Sequence, residues 1–270
     1  MKLSKKQINL FQEKILDWYT VHKRNLPWRR TRDPYKILIS EVMSQQTQIS
    51  RVIPKFTAWI EAFPTVQSLA EASVADVLAH WSGLGYNRRA LNLKKEAEKI
   101  VREYDGTFPQ KEKDLLDLPG IGQYTARAVL CFAFNKQVAV VDTNVRKVII
   151  TQLGQDENDK KAIEALAQQL LPKQQAYDWN QALMDYASHV LKREKITIPK
   201  QSKFIGSHRY YRGQILKQLL LHKQISVSDI GQKIKKDYTP TEEQWLTSLV
   251  KELVDEGFIV VTNGVMQLAS

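Results

Sequence analysis

The sequence predicts a mainly α-helical protein with a small mixed α/β portion at its C-terminal end. Apolar residues recur at the spacing of amphipathic helices up to about residue 195, and alternating strand patterns are almost absent there. Beyond residue 207, two short alternating segments flank Asn263-Gly264, the dipeptide that most strongly indicates a tight β-hairpin. We therefore predict a helical domain over 1–195, a basic, proline-bearing linker over 196–206 and a second domain over 207–270.

The predicted elements follow one another with short connections. Arg24–Pro34 is rich in proline, arginine and aspartate, which predicts a loop. The apolar spacing predicts helices over Lys5–His22, Tyr35–Phe63 with a break at Pro54, Thr65–Ala79, Arg88–Tyr104, Asp114–Asn135, Asn144–Leu153, Lys160–Leu171 and Asp178–Lys192. The C-terminal portion has predicted helices over Tyr210–Leu221, Ser226–Lys236 and Glu242–Asp255, and predicted strands over Phe258–Val261 and Val265–Leu268.

Charge and composition narrow the classes of function. The formal net charge of +11 and the pI near 9.5 favour a polyanionic partner. No long apolar run and no signal-peptide pattern is present, so we expect a cytoplasmic protein that does not associate with membranes. The single cysteine, Cys131, excludes an internal disulfide and a cysteine-held cluster, and we expect it to be a small buried hydrophobe. The histidines lack metal-ligand spacing, so no catalytic metal is predicted.

Leu118–Gly122, with the sequence Leu-Pro-Gly-Ile-Gly, predicts a tight turn between two apolar helical patterns. Pro119 lacks a backbone donor and suits a turn, and Gly120 and Gly122 permit backbone angles that a side chain would forbid. The second helix is predicted to begin at about Gln123, so its first N–H groups point back into the turn. Such a helix end is an anion site that a phosphate can reach without any readout of base sequence.

The hairpin and the segment after it resemble a known family. LPGIGQYTARAVL followed by VDTNVRKV is similar to the helix-hairpin-helix DNA glycosylase superfamily, and the likeness covers roughly residues 8–190. Upstream, Leu26–Val52 and Trp81–Leu93 (WSGLGYNRRALNL) resemble the adenine-excising mismatch branch of MutY type. The resemblance implies two helical subdomains flanking an active-site cleft, and a reaction that excises a base from double-stranded DNA.

Two carboxylates fit the chemistry that breaking an N-glycosidic bond requires. Glu41 lies on an otherwise apolar helix, so burial is expected to raise its pKa and suit it to proton donation. Asp142 ends the apolar run Val138–Val141 and precedes a helix, where it also fits the position of an N-cap. The resemblance implies that Glu41 protonates the adenine and assists water, that Asp142 stabilises the oxocarbenium-like sugar, and that Asn144 supports Asp142.

Tyr124 stands where strand-cleaving members of the superfamily carry lysine. A lysine amine forms a Schiff base with the sugar, and a tyrosine hydroxyl cannot. The resemblance therefore implies a monofunctional glycosylase that leaves an intact abasic site. Tyrosine occurs in both adenine-excising and thymine-excising relatives, so it does not decide the substrate, and packing in the first turn of the helix is the structural alternative for this side chain.

Further residues match DNA-contacting positions of the family, which must flip the target base out of the duplex. The residues that match duplex-invading positions are Gln45, Gln46 and Tyr86. The candidate phosphate or pocket contacts, with solvated surface charge as the alternative, are Arg24, Arg29, Arg88 and Arg89. Departures from the residues common in the family, which leave the substrate preference open, occur at Ser44, Asn87 and Asp185.

The resemblance also bears on cofactors and on the C-terminal portion. Relatives usually hold a four-cysteine iron–sulfur loop where this chain has its linker, and we expect an enzyme without that cluster. The hairpin is similar to those that bind Na⁺ or K⁺ through backbone carbonyls, here those of Leu116, Leu118 and Ile121. Relatives often read 8-oxoguanine with a Nudix-like domain; here the C-terminal portion resembles a winged helix instead. Its third helix is acidic, which favours packing over base readout.

Together these features predict a monomeric base-excision repair enzyme that acts on mismatched or damaged double-stranded DNA in the cytoplasm, at the nucleoid. The predicted reaction hydrolyses adenine from mispairs with 8-oxoguanine or guanine. One alternative keeps the fold and mechanism but excises thymine or uracil opposite guanine, or another damaged base. A second alternative is a non-catalytic DNA-binding protein, but such a protein needs neither Glu41 nor Asp142 beside a phosphate.

Overall fold

The computed structural model describes residues 3–194, 196 and 203–269, and their secondary structure is mainly helical. The helices are α1 (Lys5–His22), α2 (Pro34–Ser44), α3 (Ile49–Ala62), α4 (Val66–Glu71), α5 (Val74–Trp81), α6 (Arg88–Tyr104), α7 (Glu112–Leu116), α8 (Gln123–Phe132), α9 (Thr143–Leu153), α10 (Lys160–Gln169), α11 (Ala176–His189), α12 (His208–His222), α13 (Val227–Ile234) and α14 (Glu243–Asp255). The strands in the described part are β1 (Gln224–Ser226), β2 (Ile259–Thr262) and β3 (Val265–Leu268). Short 3₁₀ turns cover Pro27–Arg30 and Pro240–Glu242.

Capping chemistry sets where the first helices begin. The Ser4 hydroxyl accepts the Gln7 N–H, and the Gln7 side chain accepts the Ser4 N–H, which forms a capping box before α1. The Asp33 carboxylate accepts the Tyr35 N–H at 2.9 Å before α2. Pro34 takes the first position of α2, where a helix has no use for the missing N–H.

The described residues fall into two compact units, of which the first comprises Met1–Gln46 and Phe108–Pro199. In this unit α1 and α9 pack against α11, and α2 and α7 pack against α8. Trp179 and Ile15 are fully buried, and Phe11 meets Trp179 edge to face with ring centroids 5.9 Å apart. Burial of such large apolar side chains is the main contribution to the stability of this unit.

The second unit comprises Thr47–Thr107 and Lys200–Ser270. In it α4 and α5 pack against α6, and α3 packs against α5. The buried Trp59 and Trp81 rings meet edge to face with centroids 5.6 Å apart. The C-terminal helix α12 contacts α5, so this unit joins two segments that are distant in the sequence.

A small antiparallel sheet lies at the C-terminal end of the second unit. Its strand order is β1-β3-β2, and Ile225 of β1 pairs with Met266 of β3. The β2–β3 turn carries Asn263 and Gly264, with φ of 50° and 74°, as the Asn-Gly dipeptide predicted. On α14, the buried Leu249 and Leu253 give this acidic helix an apolar packing face.

The prediction of one helical pattern over Tyr35–Phe63 with a break at Pro54 is wrong in its break point. Pro54 lies inside α3, and the chain instead leaves the helix after Ser44. Gln46 adopts φ 53°, a left-handed conformation that a helix cannot continue through. The proline is tolerated because Val52, Phe56 and Trp59 of α3 are all buried, and this packing offsets the lost backbone hydrogen bond.

Other elements also differ from the prediction. The pattern over Thr65–Ala79 is two short helices, since Ser73 is extended and caps α5 by accepting the Asp76 N–H at 3.1 Å. Strand β1 was not predicted, because three residues are too few to show alternation. By contrast, α1 and α6 have the predicted bounds.

The mainly helical fold class is confirmed, and the winged-helix-like identity of the C-terminal portion stays a prediction. The predicted boundaries at 1–195, 196–206 and 207–270 also stay predictions, and most of the predicted linker lies outside the described residues. Within the described part, no helix is long and apolar enough to cross a membrane.

Candidate active site

Glu41 and Tyr124 are brought together by the packing of α2 against α8. The Tyr124 hydroxyl donates a hydrogen bond of 2.5 Å to Oε2 of Glu41. Both side chains keep some exposure to solvent, while protein atoms surround most of each one. Two residues that are 83 positions apart therefore form a polar pair between α2 and α8.

Asp142 and Asn144 form the second polar group of the first unit, at the start of α9. Oδ1 of Asp142 accepts the Val145 N–H at 2.7 Å, which makes Asp142 the N-cap of α9. Oδ2 accepts the side-chain amide of Asn144 at 2.7 Å. Both carboxylate oxygens are thus held in fixed directions, and the capping role expected as an alternative is present in the structure.

Electrostatics set the protonation of this site. Burial raises the pKa of Glu41 to about 7; the Tyr124 hydrogen bond lowers it, the charge of Asp142 raises it, and Arg29 lowers it. Burial also raises the pKa of Asp142 above its ordinary value, opposed by the hydrogen bonds from Val145 and Asn144. Burial and the neighbouring carboxylates keep the pKa of Tyr124 well above its ordinary value, so its hydroxyl remains a donor.

Arg24 and Arg29 converge on Asp185, a carboxylate of α11 with 1% exposure. Arg29 donates to both carboxylate oxygens at 2.7 and 2.8 Å, and Arg24 donates through Nε at 2.5 Å and through its backbone N–H at 3.0 Å. Burial acts to raise the pKa of Asp185, but Arg29 and Arg24 outweigh it and lower the pKa below its ordinary value. Phosphate or pocket contact by the two arginines stays a prediction.

The hairpin follows the predicted turn. Gly120 has φ 80°, a conformation that favours glycine. Gly122 does not use the freedom of a glycine, because its φ of −96° is open to any residue and a Cβ there would meet nothing within 4 Å. Gly122 instead caps α8, which begins at Gln123 as predicted. The first N–H groups of α8 therefore face the turn without obstruction by a side chain.

The carbonyls predicted to hold a monovalent cation lie at the end of α7 and in the turn that leads to α8. Leu118 and Ile121 bury their side chains there, and the Leu118 carbonyl accepts the Ile121 N–H at 3.2 Å. Leu116 ends α7 and is 43% exposed. A carbonyl oxygen has a second lone pair after accepting one hydrogen bond, so a cation role stays a prediction. In the described part of the chain, no group of three or more metal-ligating side chains occurs.

The residues that match duplex-invading positions are divided between the units. Gln45 directly follows α2 as its C-cap, and its side-chain amide lies 3.4 Å from the Thr125 hydroxyl, within the first unit. Tyr86 lies in the second unit, in the turn before α6. Arg88 opens α6 and pairs with Glu256 at 2.9 Å. The DNA contacts assigned to these residues, to Gln46, and to the helix start at Gln123 stay predictions.

Two side-chain contacts within the units were not predicted from the sequence. Arg127 of α8 pairs with Glu112 of α7 at 2.9 Å and with Glu164 of α10 at 2.8 Å, which clamps the hairpin within the first unit. Glu112 and Arg127 are 15 residues apart, a separation that has no local pattern in the sequence. Arg209 contacts Tyr86 in the second unit, and a separation of 123 residues leaves no sequence signal.

The helical hairpin within a mainly helical unit places the chain among helix-hairpin-helix proteins. More narrowly, residues 39–173, half of the chain, match the family described as HhH-GPD superfamily base excision DNA repair protein, and the chain belongs to that superfamily. Two solved structures share the fold. A thermostable thymine-DNA glycosylase has 31% identity and a TM-score of 0.65, covering 76% of this chain and 94% of that chain. A trapped Endonuclease III–DNA covalent intermediate has 22% identity and a TM-score of 0.63, covering 74% and 92%, and shows the fold alone.

The similar curated proteins are named Adenine DNA glycosylase. The protein from Mycolicibacterium smegmatis is 45% identical over 181 residues, which cover 65% of this chain and 61% of that protein. The protein from Homo sapiens is 38% identical over 198 residues, covering 68% and 36%. One from Buchnera aphidicola is 37% identical over 180 residues, covering 65% and 51%. The chain spans about half the length of the curated relatives it matches.

Proposed function

We propose that this protein is a monofunctional DNA glycosylase of base excision repair that removes adenine paired with 8-oxoguanine or guanine. The observation that carries the proposal is the hydrogen bond between Tyr124 and a Glu41 carboxyl whose pKa is raised to about 7. The names of the curated relatives support adenine as the excised base. The net charge of +11 supports double-stranded DNA as the partner.

Glu41 acts in this proposal as the acid that protonates the departing adenine. An acid is most effective when its pKa lies near the working pH, and burial brings that of Glu41 to about 7. The Tyr124 hydroxyl holds Oε2, which leaves the other oxygen of Glu41 to carry the proton toward the base. After the base departs, the Glu41 carboxylate accepts a proton from the attacking water.

Asp142 acts as the carboxylate that stabilises the positive charge developing on the sugar. The side chain of Asn144 and the backbone of α9 fix both of its oxygens, so no reorganisation is needed as that charge appears. Two carboxyl groups with different protonation states thereby divide the work of the reaction. Asn144 is a positioning residue in this scheme.

The absence of an amine at position 124 underlies the proposal that the DNA strand stays intact. Tyr124 replaces the lysine that would form a Schiff base with the sugar. Tyr124→Lys is expected to gain an adduct that borohydride traps, with the double variant Tyr124→Lys, Asp142→Asn as the matched control. No adduct in Tyr124→Lys would contradict the position assigned to this residue.

The remaining contacts belong to the same proposal. DNA phosphates bind at the start of α8, where Gly120, Gly122 and Gln123 present backbone N–H groups, and a monovalent cation binds at the adjoining carbonyls. Gln45, Gln46 and Tyr86 enter the duplex, with Arg24, Arg29 and Arg88 as further contacts.

The protein acts as a cytoplasmic monomer at the nucleoid. Its glycosylase domain spans 1–195, its linker 196–206, and its winged-helix-like domain 207–270.

A single-turnover assay on matched duplexes tests the proposal. The duplexes carry A opposite 8-oxoguanine, A opposite G, T opposite G, and U opposite G, and each reaction is divided into samples with and without alkali. We expect cleavage at A only after alkali, and none with Asp142→Asn. If none of the duplexes is cleaved, or if cleavage occurs without alkali, the result would contradict the proposed reaction.

A second candidate keeps the mechanism but excises thymine opposite guanine. It is favoured by the similarity to a thermostable thymine-DNA glycosylase, of which this chain covers 94%. The same assay separates the two, because cleavage at T opposite G with no product at A replaces the first proposal by the second.

A further inference from the structure

Tyr86 is an exposed aromatic side chain held in an unusual backbone conformation. It is 40% exposed in the turn between α5 and α6, and its φ is 50°. A bulky residue occupies the left-handed region only when its surroundings hold it there. The turn therefore directs a large aromatic ring toward solvent at a fixed point of the second unit.

The side chains of Trp81 and Arg89 stabilise the backbone of this turn through hydrogen bonds. Trp81 Nε1 donates to the Gly85 carbonyl at 2.9 Å, and Arg89 donates to the carbonyls of Leu84 and Gly85 at 3.2 and 3.1 Å. The Arg89 guanidinium lies 5.6 Å from the centre of the Tyr86 ring. Burial lowers the pKa of Arg89 to about 10, which leaves it charged at neutral pH.

A second guanidinium reaches the same ring from the C-terminal portion of the chain. Arg209, in the first turn of α12, lies 5.8 Å from the centre of the Tyr86 ring, and its Nη1 is 3.4 Å from the Tyr86 hydroxyl. Contacts of α6 with Glu256 hold this portion in place: Arg88 pairs with the Glu256 carboxylate at 2.9 Å, and Lys95 donates to its carbonyl at 3.1 Å. Arg209 is thus anchored beside Tyr86 within one unit.

We infer that Arg209 is a positioning residue that holds the Tyr86 ring ready to stack on a base left without a partner in the DNA. Exposed aromatic rings accompanied by arginines are the usual platforms for stacking unpaired bases. A planar guanidinium fixes the plane of a ring better than a flexible ammonium does. The inference rests on the proposed function and gives the C-terminal portion a part in reading the DNA.

The test uses a duplex with a tetrahydrofuran abasic analogue opposite 2-aminopurine, whose fluorescence falls when a ring stacks on it. Arg209→Gln is expected to weaken binding to this duplex by about two- to fivefold, the size of one exposed cation–π contact, and to reduce the quench. Arg209→Lys is expected to restore the charge and only part of the quench. Lys217→Gln removes the same charge from an exposed position of α12 and serves as the control.

A double-mutant cycle separates positioning from simple phosphate contact. In the Tyr86→Ala background, Arg209→Gln is expected to have no further effect on binding or on the quench. An equal loss in both backgrounds, or a loss that Lys217→Gln reproduces, would overturn the inference. If Arg209→Gln lowers the melting temperature, Tyr86→Phe provides a second test, because it removes the hydroxyl near Arg209 but keeps the ring and the fold. We expect an unchanged quench in Tyr86→Phe, which attributes the positioning to the contact between Arg209 and the ring. An absent quench in this variant overturns the inference. Glycosylase activity of the wild-type chain on the adenine duplexes is scored separately, so its failure affects the proposed function and not the measurement of stacking.

Discussion

Two groups of acidic side chains in the first unit differ in their counter-charges. At Asp185, Arg24 and Arg29 supply donors to a carboxylate with 1% exposure, and they hold its pKa below the ordinary value. At Glu41, the donor is the neutral hydroxyl of Tyr124, and burial raises the pKa to about 7. Asp142, held by neutral amide donors, also has a raised pKa.

The difference separates a carboxylate that stays ionised from two carboxyls whose pKa values are raised. A buried carboxylate paired with two guanidiniums keeps its charge and ties α11 to the loop before α2. A buried carboxyl with neutral donors can gain or lose a proton near neutral pH. Burial alone therefore does not decide whether a carboxyl is ionised at neutral pH; the charge of its hydrogen-bond donors also matters.

The largest expected effect falls on Glu41. Glu41→Gln removes the transferable proton, so the single-turnover rate at A opposite 8-oxoguanine is expected to fall by roughly 10²–10⁴-fold. DNA binding measured by fluorescence anisotropy is expected to persist. A variant that keeps its rate within about tenfold of wild type would contradict the role of Glu41 as the acid.

Asp185 is expected to matter mainly for stability. Asp185→Asn leaves Arg29 buried without its counter-charge, so the free energy of unfolding in urea is expected to fall by about 3–5 kcal/mol at neutral pH. The lowered pKa means that the stability contributed by the Asp185 charge is present above its ordinary pKa and is lost as the pH falls through the lowered one. Asp178→Asn, exposed on the same helix, is the control and is expected to change stability by less than about 1 kcal/mol. An equal loss of unfolding free energy in Asp185→Asn and Asp178→Asn would contradict the stabilising role assigned to the Asp185 ion pairs.

Glu96 of α6 offers an intermediate case in the second unit. It is 1% exposed, its Oε2 has no hydrogen-bond partner among the described residues, and burial raises its pKa well above the ordinary value. The folded state therefore prefers the protonated form, so wild-type stability falls as the pH rises above the ordinary pKa toward the raised one.

Glu96→Gln cannot ionise, and its advantage is expected to grow with pH. It is expected to be more stable than wild type by about 1–3 kcal/mol at about pH 8 and equal to it at about pH 4. Urea unfolding at both pH values measures this, and Glu103→Gln, at an exposed position of the same helix, is the control. A pH-independent difference would show that ionisation of Glu96 is not the cause.

The smallest expected effect is at Tyr124. Its hydrogen bond lowers the pKa of Glu41, so Tyr124→Phe is expected to raise that pKa further. The activity of an acid declines above its pKa, and the alkaline limb of the rate profile is therefore expected to move to higher pH. Single-turnover rates over a pH series measure the shift, and a limb that moves to lower pH would contradict the geometry assigned to this pair.

The helices and the polar residues of the site could be predicted because their signals are local. Apolar spacing gave α1 and α6 their bounds, and the acids Glu41 and Asp142 stand out against apolar neighbours. The conformation of Gly122 could not be predicted, because a glycine that caps a helix and one that needs a positive φ look alike in sequence. Pro54 was misjudged because tertiary packing of α3 decides whether a helix accepts a proline.

The partners of charged residues were the least predictable feature. Arg24 and Arg29 were predicted to be phosphate or pocket contacts, with solvated charge as the alternative, and their pairing with Asp185 spans more than 150 residues. The contact of Arg209 with Tyr86 spans 123 residues and has no periodic signature. Long-range ion pairs depend on how helices are arranged in space, and a single sequence does not encode that arrangement in any local pattern.

The most direct test of the central claim is a carbon-13 NMR titration of the Glu41 carboxyl, assigned with Glu41→Gln. It needs neither substrate nor a choice of lesion. We expect this carboxyl to titrate near pH 7, while the Asp185 carboxyl stays ionised below the ordinary pKa of aspartate. Titration of Glu41 at its ordinary value of 4.5 would contradict the role of burial at this site.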